Sequence, residues 1–453
     1  MKDRIRNVSS GLTSSGPSPV AVDFGAAGVK VLQLSGGSTP NLVAAAYLPT
    51  PENLLGEPTK RLAWQLEQLP ALVRAGGFKG RRSVCAIPTS QSFCKHVQVP
   101  AGNPRQVASA VEETIAAQLM CDRSALLCRN VEVGPAPSGG GKVEAIAIAA
   151  SRAMVDRLMQ CLRDCRLEPV GMQPEALAVL RAFDHITRRV DDADTTSLYL
   201  DIGSAHTRVM IAHGTQLVFT KPIGVGGFTF DSVVAKQLKV EYAEAHRERL
   251  ACGALTVSES APAPAAATAP PPPPATSEAD GAKKDEGDGM AVLRAAMSTG
   301  PARGGMGGAT AAAATAATTA TTGAGSAVDD RRGGALPTGH DAVRRGLVNF
   351  VGPRIDLRES LDALTDELVM CLRYHDALFP GRKLTRTIFV GGESRHTALC
   401  QHVARVLKAP ASIADPLARI ARTGNEPVEG VKFDRPQPGW AVAVGLCLGP
   451  TDL

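Results

Sequence analysis

Residues 198–227 read LYLDIGSAHTRVMIAHGTQLVFTKPIGVGG. An apolar strand runs into Asp201-Ile202-Gly203, a short polar turn follows, and the apolar pattern resumes in RVMIAH and again in QLVFT. Alternation bounded by glycine predicts strand, turn, strand and then a third strand. The same arrangement occurs near the N-terminus, where AVDFGAAGVKVLQL occupies residues 21–34. Aligning Asp23-Phe24-Gly25 with Asp201-Ile202-Gly203 puts an apolar strand before each turn and another after it. A long-range duplication of this kind predicts two related halves, and the absence of a short period excludes a solenoid. A third strand-to-glycine turn, RTIFVGGES, ends in Gly391-Gly392.

Between the two copies, 57–75 has helical spacing and closes at Gly76-Gly77. The stretch 83–100 reads as two strands broken near Pro88, and a helix over 104–121 opens with Asn103 as cap and Pro104 in its first turn. VEAIAIAAS reads as an apolar strand, followed by a helix over 151–167. Together they predict a small α+β unit of order β-β-α-β-α over roughly 83–170. Beyond the second copy, 229–250 reads as one charged helix, 356–378 as a long amphipathic helix, 394–407 as a helix, ASIADPLARI as a short strand and turn, and 438–449 as a buried helix.

Composition sets the outer limits. Forty-nine Lys and Arg against 44 Asp and Glu leave a net charge of +5 spread along 453 residues. A dedicated nucleic-acid binder would carry a clustered basic face. No segment has the roughly 18 apolar residues that span a bilayer, and residues 1–17 lack the apolar stretch of a secretory signal. Ten cysteines without a CxxC pair, in a chain this long, predict reduced thiols in a cytosol. From about 251 to 350 the chain becomes rich in Ala, Pro, Gly and Thr, including Pro270–Pro274. Such a segment buries too little apolar surface to offset its ordering entropy. It is expected to be a disordered insertion, with at most a short helix at Ala291–Met297. The N-terminal 1–17 is expected to be disordered as well.

In an α/β sheet, ligands bind where strands end and turn. A glycine there lets backbone N–H groups approach phosphate oxygens, and a strand-end Asp can hold a hydrated Mg²⁺. One such turn, taken alone, is an ordinary tight turn, but one in each duplicated half can clamp a triphosphate from both sides. A third at Gly391-Gly392 then packs against a base and ribose.

The three segments resemble the phosphate-1, phosphate-2 and adenosine motifs of the actin, Hsp70 and sugar-kinase superfamily. More narrowly, 21–34, 198–227, 387–420 and 440–449 together resemble the PilM family of type IV pilus assembly, itself related to FtsA. The resemblance implies an α/β, actin-like (ribonuclease H-like, duplicated) two-lobed ATPase fold with an inserted α+β 1C subdomain. Its expected parts are 1A over 18–82, 1C over 83–168, a return to 1A over 169–196 and 2A over 197–230. Subdomain 2B follows over 231–380, interrupted by the insertion, with 2A again over 381–425 and a C-terminal return to 1A over 426–453.

Carried over by position, Asp23, Gly25 and Lys30 fall on the first phosphate motif, and Asp201, Gly203, Ser204 and Thr207 on the second. Gly391, Gly392 and Glu393 fall on the adenosine motif. The implied cofactors are ATP and Mg²⁺, with Asp23 and Asp201 as metal carboxylates. Lys30 is either a cation near phosphates, a partner to a cleft carboxylate, or a solvated strand residue. Gln173 falls where relatives carry a residue that orients the attacking water; Glu175 is the nearby carboxylate or simply a capping residue after Pro174. Ala26 and Ala27 replace the usual Ser or Thr. His206 is either a group that contacts phosphate or, as expected first, an exposed turn residue. The implied partners are the N-terminal tail of a PilN-like inner-membrane protein, docking near strands 84–99 and 143–149, and the pilus motor ATPases. Nucleic acid and direct membrane insertion are not implied, and a homo-oligomer is compatible. The implied place is the cytoplasmic side of the inner membrane, in a pilus or type II secretion system. Rival readings are a scaffold without nucleotide, a sugar or acetate kinase, which needs a catalytic Asp not seen here, and an FtsA-like protein, which needs a C-terminal amphipathic helix where this chain reads GLCLGPTDL.

Overall fold

A computed structural model describes residues 16–36, 39–187, 190–251 and 355–449. The expected insertion beyond residue 251, its short helix, and the N-terminal segment up to residue 15 lie outside the described residues. Pro17 bridges Ser35, so regular structure starts just before residue 18.

Two sheets carry the duplication. The first contains β1 (Val20–Gly25), β2 (Gly28–Leu34), β3 (Leu42–Pro49), β4 (Arg82–Ile87), β8 (Glu168–Pro174) and β14 (Val428–Glu429), in the order β14-β3-β2-β1-β4-β8. The second contains β9 (Thr196–Ile202), β10 (Thr207–His213), β11 (Gln216–Ile223), β12 (Arg386–Val390) and β13 (Ala411–Ile413), in the order β11-β10-β9-β12-β13. In each, a three-strand antiparallel meander (β1-β2-β3, β9-β10-β11) is extended by two parallel strands on the side of the first strand. Apart from the added β14, order and sense match strand for strand.

Alternation explains the layering. On β1, Val20, Val22 and Phe24 face a core shared with α1 (Pro58–Ala75) and α3 (Arg152–Asp164), while Ala21 faces the central core. Leu62, Leu66, Leu69 and Leu72 form the buried stripe of α1, the i, i+4, i+7 spacing of an amphipathic helix. Pro70 lies inside that helix and cannot donate to the carbonyl of Leu66. The Cys161 thiol on α3 donates to it instead, at 3.4 Å. The central core holds α4 (Glu175–Ala182) and α9 (Ala441–Cys447). A Cβ on Gly445 would lie 1.7 Å from the Ala178 carbonyl oxygen, so the two helices meet backbone to backbone.

A third sheet, β5-β7-β6, is formed by β5 (Ser92–Pro100), β6 (Leu126–Pro135) and β7 (Lys142–Ser151), covered by α2 (Pro104–Leu119). Asn103 and Gln106 form a reciprocal capping box at the start of α2. On β7, Ala145, Ala147 and Ala149 face α2, while Ile146 and Ile148 face the central core. Burial on both faces is why VEAIAIAAS is a continuous apolar run.

The composition of the small unit differs from the expected β-β-α-β-α. Strand β4 lies inside the six-stranded sheet, an additional strand β6 appears, and α3 packs on α1. The charged helix expected over 229–250 is two helices, α5 (Gly227–Leu238) and α6 (Tyr242–Ala251), broken at left-handed Lys239. The second half is completed by α7 (Arg358–Leu378) and α8 (Thr397–Leu407). Of the strands expected to dock the tail, β4 lies between β1 and β8 and β7 lies between β5 and β6, so both are interior, whereas β5, the second strand of the 84–99 pair, is an edge. The edges of the small sheet are β5 and β6.

Candidate functional site

The two phosphate-type turns and the third glycine turn open into one cavity of about 660 Å³. The first turn is a two-residue hairpin, Ala26-Ala27, between paired Gly25 and Gly28. It is fixed from behind: the Gly25 carbonyl accepts from Gln65 Nε2 at 2.8 Å, and the Ala27 carbonyl accepts from the Tyr47 hydroxyl at 2.9 Å and from Thr50 N at 3.0 Å. The second turn is closed by Gly203 N donating to the His206 carbonyl at 3.0 Å. The start of α5 supports it, because Gly227 N and Phe228 N donate to the carbonyls of Gly203 and Ser204. A Cβ on Gly226 would come within 2.5 Å of the Ser204 carbonyl oxygen, which explains a glycine at that position. Gly391 has φ +89°, and a Cβ there would meet the Ile202 carbonyl oxygen at 2.3 Å, so a side chain is excluded on two grounds.

Asp23, Gly25, Lys30, Asp201, Gly203, Ser204, Gly391, Gly392 and Glu393 all line the cavity, as does Glu175. Two expected residues do not. The Thr207 hydroxyl is fully buried and donates to the Val225 carbonyl at 2.8 Å. Gln173 Oε1 accepts from Arg181 Nη1 at 3.0 Å, outside the cavity lining. His206 lines the cavity and is not an exposed turn residue. Burial, helped by Arg61, pushes its imidazole from its ordinary 6.5 down to about 4, so the ring is neutral at pH 7.

Ion pairs dominate the floor. Lys30 stands directly across the β1–β2 ladder from Asp23, and its Nζ lies 3.3 Å from Asp23 Oδ2. Burial opposes the ammonium charge, but Asp23, Tyr47 and Asp201 outweigh it and hold Lys30 above its ordinary pKa. It is thus a partner to a cleft carboxylate, not a solvated strand residue. Arg208 repeats the arrangement across β9–β10: it faces Asp201 in register, with Nη1 2.6 Å from Asp201 Oδ2. Burial pushes the Asp201 carboxyl up to about 6 with Asp23 adding and Lys30 opposing, while contact with the Arg208 fork favours the anion. Burial lowers Arg208 to about 10, which leaves it charged at pH 7. Its Nη2 also reaches Glu175 Oε2 and Thr89 Oγ1, and Thr89 Oγ1 donates to Glu175 Oε2 at 2.7 Å. Thr89 follows β4 and Glu175 follows β8, so Arg208 ties the second sheet to the first. Glu175, at the first position of α4, is an ion-pair partner and not only a capping residue.

A second buried network backs the Gly391 turn. Arg249 lies between Asp231, whose Oδ1 is 2.5 Å away, and Glu393, whose Oε2 is 2.7 Å away. Asp231 also accepts from the Tyr242 hydroxyl and contacts His246. The hydrogen bond to Asp231 raises the His246 pKa despite burial.

Neither Arg208, Arg249 nor Asp231 was singled out from sequence. For Arg208 a signal existed: each copy carries a cation seven residues after its Asp, which antiparallel register places directly opposite. For Arg249 the partners come from distant segments and no local pattern marks them.

The cavity suits a nucleotide: its volume falls within the range of about 300–1,000 Å³ common for small-molecule sites, and glycines line all three turns. It does not suit Mg²⁺ on Asp23 and Asp201. Each carboxylate already has an oxygen on a cation, and the described residues include no cluster of three or more His, Cys, Asp or Glu side chains placed to hold a metal.

Two duplicated sheets with central helices, closing on a cleft formed by three glycine turns, define an actin-like protein. Residues 21–254 match the family of type IV pilus assembly protein PilM, and at just over half of the 453 residues this places the chain in that family. Among solved structures, the PilM–PilN type IV pilus biogenesis complex covers 96% of this chain and 98% of its own, with TM-score 0.61 and 17% identity, a likeness of fold. EutJ of Carboxydothermus hydrogenoformans aligns with TM-score 0.40 at 11% identity, covering 96% of this chain and 91% of its own. MreB5 of Spiroplasma citri bound to AMPPNP aligns with TM-score 0.41 at 10% identity, covering 95% of each chain. No curated protein matches the sequence.

Proposed function

We propose that this chain binds ATP between its lobes and captures the N-terminal tail of a PilN-like inner-membrane protein. It thereby links that protein to the motor ATPases of a type IV pilus or type II secretion system, on the cytoplasmic side of the inner membrane. The observation that carries the reading is the cleft itself, with a glycine turn from each duplicated sheet and a third behind them, in a member of the PilM family. No helix among the described residues is long and apolar enough to cross a membrane, in keeping with attachment through a partner. The small sheet offers β5 or β6 as the edge on which an extended tail adds a strand by main-chain hydrogen bonds.

Nucleotide acts here as a structural switch. A ligand touching both lobes binds the closed state more tightly and shifts the population toward it. Hydrolysis is slow or absent, because Glu175 is held by Arg208 and Thr89, and Gln173 is turned away to Arg181. The test is the affinity of a PilN-like tail peptide for the full chain, with ATP, with ADP and with neither. ATP is expected to change it; one affinity in all three states defeats the switch.

A second reading, a scaffold without nucleotide, is favoured by Ala26 and Ala27. They lack the hydroxyls that the family places at the first turn, a loss on the order of 1–3 kcal/mol. Titration with a fluorescent ATP analogue separates the two readings.

A further inference from the structure

Lys30 and Arg208 occupy equivalent places in the two copies, each paired in register with the Asp that ends the preceding strand. Asp23 and Asp201 are the carboxylates nearest the two phosphate turns, and both are engaged. The third carboxylate on this floor, Glu175, is held by the same guanidinium. Arg208 itself is buried, with its side chain 5% exposed. Five carboxylates and six Lys and Arg side chains line the cavity as a whole. A divalent cation among them would meet two resident positive charges and no free carboxylate pair. A bare polyphosphate would meet the opposite: a cavity in which cations outnumber carboxylates, with a planar fork that suits phosphate oxygens.

We propose that Arg208, with Lys30, takes the place of the divalent cation, so that the cleft accepts a nucleoside polyphosphate as the free, metal-less anion. This rests on the reading of the cleft as a nucleotide site. When the phosphates enter, Arg208 shares its donors between them and Asp201, and no metal is needed to neutralise the tail. Removing Arg208 frees Asp201 and Glu175 together and creates the carboxylate pair that a divalent cation requires.

The experiment is a titration of the full chain with N-methylanthraniloyl-ATP, in EDTA and in excess Mg²⁺. The wild type is expected to bind at least as tightly in EDTA as in Mg²⁺. Weakening by about tenfold or more on metal removal, a difference of 1.4 kcal/mol, overturns the proposal. In R208A the expectation reverses: binding in EDTA falls by about tenfold or more, and Mg²⁺ restores it. An R208A protein that binds in EDTA as the wild type does also overturns the proposal. If R208A does not fold, the two wild-type titrations decide alone. Absence of binding in both buffers overturns the nucleotide reading and this proposal with it, an outcome distinct from metal-dependent binding.

Discussion

Thr207 shows how position in a motif and role in a structure separate. It follows the second phosphate turn, yet its hydroxyl points away from the cleft and donates to the Val225 carbonyl, where α5 begins. Replacing it with Val removes that donor and leaves a part-buried carbonyl unpaired, which costs about 1 kcal/mol. T207V is therefore expected to unfold at a lower denaturant midpoint while its affinity for a fluorescent ATP analogue stays within about twofold. A large loss of affinity at unchanged stability would place the hydroxyl on the phosphates after all. Ser204 and Gly203 differ from it because both line the cavity and both have carbonyls held by the start of α5. Their contribution is to the shape of the turn.

Helix α1 carries a proline in its body and remains a helix, and the reason lies on its neighbour. Pro70 leaves the Leu66 carbonyl without its helical donor, and the Cys161 thiol from α3 fills that place. C161A should then cost about 1–2 kcal/mol in the parent protein and less in a P70A background, where the substituted residue supplies its own backbone N–H. Equal costs in both backgrounds, measured by urea denaturation, would show that the thiol contributes only packing. This pairing could not be read from sequence, since the two residues are far apart along the chain. What could be read were the elements whose pattern follows from burial on one or both faces. The two strand-turn-strand copies alternate cleanly, and the apolar runs of β7 and α9 lie in the core. Strand β6 escaped because it is a half-exposed edge whose polar residues dilute the alternation. Strand β3 escaped because LVAAAYLP is rich in alanine, which marks neither period. The break between α5 and α6 falls at Lys239, a residue that seldom takes the left-handed conformation and so gives no warning. In the site, Asp23, Asp201 and the glycines were legible because turns are local. The cross-lobe grip of Arg208 on Glu175 was not, because it depends on how β10 meets the start of α4.

That grip couples the two halves of the molecule, and acid loosens the same region. His206 in the cleft and His213 at the far end of β10 are both pushed to about 4, each first by burial, His206 then by Arg61 and His213 by Arg382 and His375. Their pKa values are depressed in the folded state, so the unfolded chain binds more protons below pH 6.5. The two imidazoles thus remove stability as pH drops from about 6.5 to 4, by at most about 1.4 kcal/mol per pH unit each. Asp201, raised to about 6, opposes one of them below pH 6, and the H206N/H213N double variant should show a shallower decline of denaturation midpoint. At neutral pH the imidazoles are uncharged, and the lobes are held by the ion pairs together with the central apolar core. R208A leaves Asp201 and Glu175 buried without their cation, a loss of about 3–5 kcal/mol. E175A leaves Arg208 still paired to Asp201 and costs less. In the double variant only Asp201 remains unpaired, so the two losses should fall short of adding, with a coupling of about 1–3 kcal/mol. Simple additivity in urea titrations would mean that Arg208 and Glu175 act independently, and that the lobes are joined by the packing of α4 against β10 and β11 without help from the cleft.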